Sequence, residues 1–215
     1  MFIKTNNTIK QELHKHFINM KVIVHRVNNS SKLLSIPKKY GVEIDVRDYK
    51  NKLILNHDPF KKGEYLKKFL KNYNHSTLII NIKSEFIEFE ILKILNKFKI
   101  NNYFFLDSSY PVIINLSKKK IKKFAIRVSD YESFENVYKI HPNCKWIWLE
   151  IFKKINLKKK DLNYIKKNKI KICLVSPELH NKKKDLLKIK KFVQKNKIQV
   201  FAVCTKFDFI KFWEN

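Results

Sequence analysis

Eight short apolar runs recur along the chain at intervals of roughly twenty to thirty residues, the length of one strand plus one helix. They span 21–24, 42–46, 77–82, 103–106, 123–127, 146–151, 170–175 and 199–204. Between them lie stretches with helical spacing. Leu66, Phe69 and Leu70 share one face of 64–72; Ile87, Ile91, Leu92, Ile94 and Leu95 share one face of 85–98; Leu186, Leu187, Ile189 and Phe192 do so over 182–195. Runs apolar on both faces, such as 78–80 and 200–203, suit strands covered on both sides, as in parallel sheets. The alternation therefore predicts an α/β fold, a single (β/α)₈ barrel over 21–215 with a short helical extension over 1–20. After the second run, Asn51-Lys52 leads into a further extended segment, 53–55, read as a hairpin arm at the barrel mouth. Helix starts are expected at Ser84-Glu85, Asp130 and Asp161, and near Gly63.

A chain of 215 residues with 44% hydrophobic and 13% aromatic content is long and apolar enough for one core, which excludes a disordered protein. The formal net charge of +28 would ordinarily point to a polyanionic partner. Here Lys, Ile and Asn are all abundant while glycine occurs twice, a joint bias that drift toward A/T-rich codons produces as readily as selection for charge. No helix-turn-helix and no basic motif interleaved with aromatics supports specific nucleic-acid binding. Cys144, Cys173 and Cys204 lack zinc-ligand spacing and read as buried or free thiols of a reducing compartment. The first 21 residues lack the apolar centre of a secretory signal, and no run of about 18 apolar residues occurs, so a cytoplasmic protein without a membrane span is expected.

Polar residues at the C-terminal ends of the runs carry the candidate chemistry, because barrel active sites assemble there. His25 and Arg26 end the first run. Glu43 and Asp45 lie two apart on the second and share a face. His57-Asp58 follows the hairpin arm, and Asn81 and Lys83 lie two apart on the third run. Two carboxylates on one strand face repel unless a cation lies between them, which suits a hard divalent ion such as Mg²⁺ or Ca²⁺, with Asn81 as a neutral oxygen ligand. Two histidines beside such an ion provide a general base and a general acid. Arg26 and Lys83 would neutralise a phosphate. Arg127, Asp107 and Glu150, at later strand ends, are candidate substrate contacts.

His25-Arg26, then Gly-Val-Glu-Ile-Asp-Val over 41–46, then Asn-His-Asp over 56–58, then Asn-Ile-Lys over 81–83 together resemble the ordered motifs of the glycerophosphodiester phosphodiesterase and phosphatidylinositol phospholipase C superfamily. Phe-Leu-Asp-Ser-Ser over 105–109, Ala-Ile-Arg-Val-Ser over 125–129, Trp-Leu-Glu over 148–150 and Val-Ser-Pro-Glu-Leu-His over 175–180 resemble a less characterised branch. The resemblance implies that His25 and His57 form the acid/base pair and that Glu43 and Asp45 bind the metal. It further implies a small phosphodiester substrate linked to glycerol or a sugar, drawn from lipid or surface-polysaccharide metabolism. The chain departs from the pattern in several places. Asn81 stands where a third acidic ligand is usual, Val27 where a glycine follows His-Arg, and 28–30 reads Asn-Asn-Ser in place of Glu-Asn-Thr. The insertion common after His-Asp is missing. These departures keep two alternatives in view: a barrel that binds a phosphorylated ligand without turnover, and, on charge alone, a basic nucleic-acid-binding protein. The oligomeric state is left open.

Overall fold

The computed structural model describes residues 20–154 and 157–214; the helical extension expected over 1–20 lies outside them except for Met20. The fold is mixed α/β around a curled sheet. Each apolar run forms a strand: β1 (Lys21–Val24), β2 (Gly41–Tyr49), β5 (Leu78–Ile82), β6 (Tyr103–Leu106), β7 (Ala125–Val128), β8 (Trp146–Leu149), β9 (Lys171–Val175) and β10 (Val200–Thr205). β1 pairs in parallel with β2 and β10, β2 with β5, β5 with β6, β7 with β8, β8 with β9 and β9 with β10. Between β6 and β7 the contact is a single parallel bridge, Phe105 to Phe124, with the Phe105 N–H donating to Lys123 O at 2.9 Å. Because these strands run parallel, their C-terminal ends emerge on one side. There β2 overruns its neighbours and pairs antiparallel with β3 (Lys52–Leu55), the expected hairpin arm, which in turn holds β4 (Glu64–Tyr65).

Alternation along the strands divides the core in two. Val42, Ile44 and Val46 of β2 point outward into the larger cluster, which the helices cover. Glu43 and Asp45 point the other way, into the curl. Around them Ile23, Ile79, Phe104, Trp146, Trp148, Cys173 and Cys204 belong to a second, inner cluster. Trp146 stacks on Phe104 with ring centroids 4.3 Å apart, so the lower interior of the curl is filled by aromatic side chains. The three cysteines are buried free thiols, as their spacing implied.

Helix α1 (Ser30–Leu34) is capped by Asn29, whose side chain accepts from the Lys32 N–H, and α2 (Leu66–Leu70) buries Leu66, Phe69 and Leu70 as predicted. The later helices are α3 (Glu88–Lys97), α4 (Tyr110–Lys118), α5 (Glu135–Ile140), α6 (Lys159–Lys167), α7 (Leu186–Lys195) and α8 (Ile210–Glu214). Three expected starts move. The helix expected from about Gly63 begins at Leu66, because 64–65 is drawn into the hairpin sheet. Ser84 receives the Asp48 N–H while α3 begins at Glu88. Asp130 caps no helix; its carboxylate accepts the N–H groups of Phe152, Lys153 and Lys154 and so ties the loop after β8 to the loop after β7. Asp161 lies inside the first turn of α6 and accepts the Lys158 N–H at 2.7 Å.

Four helices end in one device that the sequence reading did not recognise. After α3, α4, α6 and α7, Lys99, Lys120, Lys169 and Lys197 adopt left-handed backbone with φ between 51° and 58°. Each is followed by an isoleucine whose N–H reaches back to the third-last helical carbonyl: Ile100 to Leu95, Ile121 to Leu116, Ile170 to Ile165 and Ile198 to Val193. This is the Schellman terminator, with lysine where glycine is usual. Each turn points the chain into the next strand and drops the isoleucine toward the core. The chain's two glycines serve another need, close approach. A Cβ on Gly41 would lie 2.6 Å from Thr77 O and 2.9 Å from Ile23 Cγ1, and one on Gly63 would overlap Leu55 O. Gly41 thereby lets β2 enter the sheet tightly against β1 and Thr77.

Candidate active site

The C-terminal ends of β1, β2 and β5 converge on Glu43 and Asp45, which are 0% and 1% exposed. The Arg26 N–H donates to Glu43 Oε2 at 2.7 Å, and Asn81 Nδ2 donates to Glu43 Oε1 at 3.0 Å. His25 Nε2 lies 3.9 Å from Glu43 Oε2. Asp45 is held by Asn28, whose Nδ2 donates to Asp45 Oδ2 at 2.8 Å while its Oδ1 accepts the Asp45 N–H. Arg26 Nε stands 3.6 Å from the same carboxylate and Lys83 Nζ 3.7 Å. Arg26 has φ 55°, a conformation that turns the chain over the carboxylate pair.

Burial, then the neighbouring Asp45 charge, pushes the Glu43 carboxyl up to about 7, against the pull of the Arg26 N–H and Asn81. Burial, then the Arg26 charge, lowers His25 to about 4, so its ring is neutral near pH 7.

A chain of alternating charges runs from this pair across the strand ends. Lys83 Nζ reaches Asp107 Oδ2 at 3.6 Å; Arg127 pairs with Asp107 and with Glu150, and its Nε is 3.6 Å from Glu132; His180 Nε2 is 2.9 Å from Glu150 Oε1. The structure thus brings together His25, Arg26, Glu43, Asp45, Asn81 and Lys83, and links Arg127 and Glu150 to them through Asp107. Arg127, facing three carboxylates, is committed to that network. His57 lies in the loop after the hairpin arm, half-exposed, its Nδ1 in contact with Asp58 Oδ1 at 2.9 Å. The Asn56 N–H on Asp45 O fixes where that loop starts.

No family model matches the chain, and no curated protein sequence matches it. Solved structures do. A protein assigned as a glycerophosphodiester phosphodiesterase from Galdieria sulphuraria superposes with a TM-score of 0.65 at 14% identity, over 93% of this chain and 99% of its own. A glycerophosphoryl diester phosphodiesterase from Parabacteroides distasonis gives 0.60 at 12%, over 90% and 87%. A protein assigned to the same activity from Agrobacterium tumefaciens gives 0.57 at 10%, over 86% and 93%. The fold is that of the glycerophosphodiester phosphodiesterases. The resemblance read from the motifs is met at that level.

Within this glycerophosphodiester phosphodiesterase-like fold, no group of three or more His, Cys, Asp or Glu side chains is placed to share a metal ion among the described residues. What the strand ends offer is two carboxylates and an amide. The Asn81 Oδ1 atom is buried without a hydrogen-bond partner, and the Glu43 carboxyl is raised by its acidic neighbour. An unsatisfied oxygen beside two repelling carboxylates is a donor set that a hard divalent cation fits. Arg26 and Lys83 already balance part of the charge.

The sequence reading did not assign Asn28, which grips Asp45 with both ends of its amide and sits in the 28–30 segment noted only as a departure. Glu178, buried after β9, anchors loops: it accepts from Thr205 Oγ1 at 2.6 Å, the Lys206 N–H and Ser176, while Trp213 Nε1 donates to Ser176 Oγ. That network locks the loops after β9 and β10 together. His75 Nε2 donates to Ile36 O at 2.9 Å, away from the site. A surface cleft lined by Asn51, Tyr65, Lys68 and Ile94 lies beside the hairpin arm, away from the strand-end cluster.

Proposed function

We propose that this protein is a metal-dependent phosphodiester hydrolase acting on a small glycerol- or sugar-linked diester. The observation that carries the reading is the buried Glu43–Asp45–Asn81 oxygen set with His25 beside it, at the strand ends of a fold shared with glycerophosphodiester phosphodiesterases. Glu43, Asp45 and Asn81 would hold Mg²⁺ or Ca²⁺, which when bound supplies positive charge to the phosphoryl oxygens. Lys83 and Arg26 orient and neutralise the phosphate. His25, neutral at pH 7, takes the proton of the attacking hydroxyl or water, and His57 gives one to the leaving oxygen. Arg127 and Glu150 bound the far side of the substrate space through their pairing with Asp107 and His180. The reading takes residues 21–215 as one domain, with the curled sheet closed into a (β/α)₈ barrel; the Phe105–Phe124 bridge supports that closure.

The test is hydrolysis of glycerophosphocholine, glycerophosphoglycerol, glycerophosphoinositol and bis-p-nitrophenyl phosphate with Mg²⁺ or Ca²⁺. Turnover abolished by chelator, by Glu43→Ala and by His57→Ala is expected, and calorimetric metal binding should vanish in Glu43→Ala. A second reading, a barrel that binds a phosphorylated ligand without turnover, draws on Asn81 in place of a third acidic ligand and on the altered residues after Arg26. It predicts metal or phosphate binding with no hydrolysis of any diester.

A further inference from the structure

Large apolar side chains are exposed unevenly over the surface. Phe60 is 94% exposed, Tyr131 70%, Phe86 60% and Phe207 47%, and each lies in a segment that follows a strand at the C-terminal end of the sheet; Tyr110 opens α4 on the same side. Of the other exposed large apolar residues among the described residues, Leu34 ends α1 at the opposite end of the sheet, Tyr65 lies on β4, and Ile114 and Leu187 lie on helices. Two of the rim residues are held outward by their backbone. Phe60 and Phe86 adopt φ of 61° and 63°, a region that bulky side chains rarely occupy. Apolar side chains presented this way around a site mark an interaction surface.

The same rim is basic. Lys61 and Lys62 follow Phe60, Lys153 and Lys154 lie in the loop after β8, and Lys206 precedes Phe207. Of the nearby carboxylates, Asp58 pairs with Lys61 at 2.8 Å, Asp107 with Lys83 and Arg127, and Asp130 with three backbone N–H groups, while exposed Glu85 and Asp208 lie beside Phe86 and Phe207. The five lysines outnumber these two exposed acids. We propose that this rim docks on an anionic lipid surface, with Phe60 and Phe86 entering the interface and the lysines facing the headgroups. Aromatic rings favour the boundary between apolar and aqueous phases, and neighbouring lysines are drawn to anionic lipid. The rings sit on separate loops around the mouth. A nucleic-acid strand would need stacking platforms in succession along a groove. Docking places the strand-end site against the membrane, and so names lipid-borne phosphodiesters as the substrate class if the proposed hydrolase reading holds; the docking itself rests on the rim.

The experiment is co-sedimentation of the full chain with vesicles of phosphatidylcholine alone or doped with phosphatidylglycerol, at low and at physiological ionic strength. Wild type should bind the doped vesicles, and Phe60→Ser with Phe86→Ser should weaken binding about tenfold or more. Lys61→Gln with Lys62→Gln should remove its salt-sensitive part. Lys166→Gln with Lys167→Gln, at the opposite end, should leave it intact. Circular dichroism verifies that each variant is folded. Hydrolysis of a water-soluble diester, measured separately, should be unchanged by the phenylalanine substitutions, so a failure of docking and a failure of the hydrolase reading are told apart. Absence of vesicle binding would overturn the proposal, as would equal loss in the Lys166/Lys167 variant, which would make the attraction charge alone. So would binding of a single-stranded oligonucleotide that depends on Phe60 and Phe86 without vesicle binding.

Discussion

The two ends of the sheet solve opposite problems with the same residue types. At the end where helices feed strands, a lysine in left-handed backbone followed by an isoleucine closes α3, α4, α6 and α7, and the apolar residue goes inward. At the end where strands feed helices, positive φ recurs at Arg26, Phe60, Phe86 and Asp107, and the side chains turn toward the carboxylate pair or toward solvent. One end is repetitive and built for stability. The other is irregular, collects the buried Glu43, Asp45, Asn81 and Glu178, and exposes aromatic rings. Buried charge and exposed apolar surface both cost stability, so their concentration at one end identifies the end kept for function.

If that division holds, substitutions at the two ends should separate activity from stability. The largest expected effect is at the mouth. His25→Ala should lower phosphodiester turnover by about 10²–10⁴-fold while leaving the melting temperature near that of wild type, read by steady-state kinetics and calorimetry. A collapse in stability with the activity loss would mean that the ring serves packing. Next, Phe104→Ala, which removes the ring stacked on Trp146 deep in the curl, should destabilise by about 3–5 kcal/mol in urea denaturation, with metal affinity of the folded fraction unchanged.

A smaller effect belongs to Glu88, the first residue of α3, buried with Ser108 beside its carboxylate. Burial raises its carboxyl above the ordinary 4.5. The folded state then holds the proton more tightly than the unfolded state, so its penalty is absent below the unfolded value and grows as pH rises through the folded one. Glu88→Gln should raise the melting temperature at pH 8 and have little effect at pH 4; the same gain at both would exclude a charge-burial cost. The smallest effects lie at the helix terminators. Replacing Lys99, Lys120, Lys169 or Lys197 by glycine should stabilise by about 1 kcal/mol each, because glycine adopts the left-handed turn without a Cβ clash. A loss of stability at these positions would remove the contrast between the two ends.

Much of this molecule was open to reading along the chain. All eight apolar runs form strands, since two-sided burial requires continuous apolar residues and the runs carry them. The two-residue spacing of Glu43 and Asp45 put both on the inner face, and the hairpin arm followed from residues 51–55. Helix starts were read less well, because Ser84 and Asp130 carry the side chains of caps but are recruited by Asp48 and by the loop after β8. The lysine terminators escaped notice because a turn that ordinarily takes glycine was written in a residue that also means solvated surface.

By itself the sequence determined the βα alternation, the inward-facing carboxylates and the set of polar residues at the strand ends, all of which follow from local periodicity. Only the tertiary structure decided which of those residues meet. Asn28 reaches Asp45 across 17 positions, Asn81 reaches Glu43 across 38, and Lys83, Asp107, Arg127 and Glu150 join hands from four strands. Such contacts depend on strand register and loop path, which are set by packing of the whole sheet. The same holds for the buried shift of Glu43 and the aromatic rim, since burial and exposure are properties of neighbours that no local stretch of chain contains.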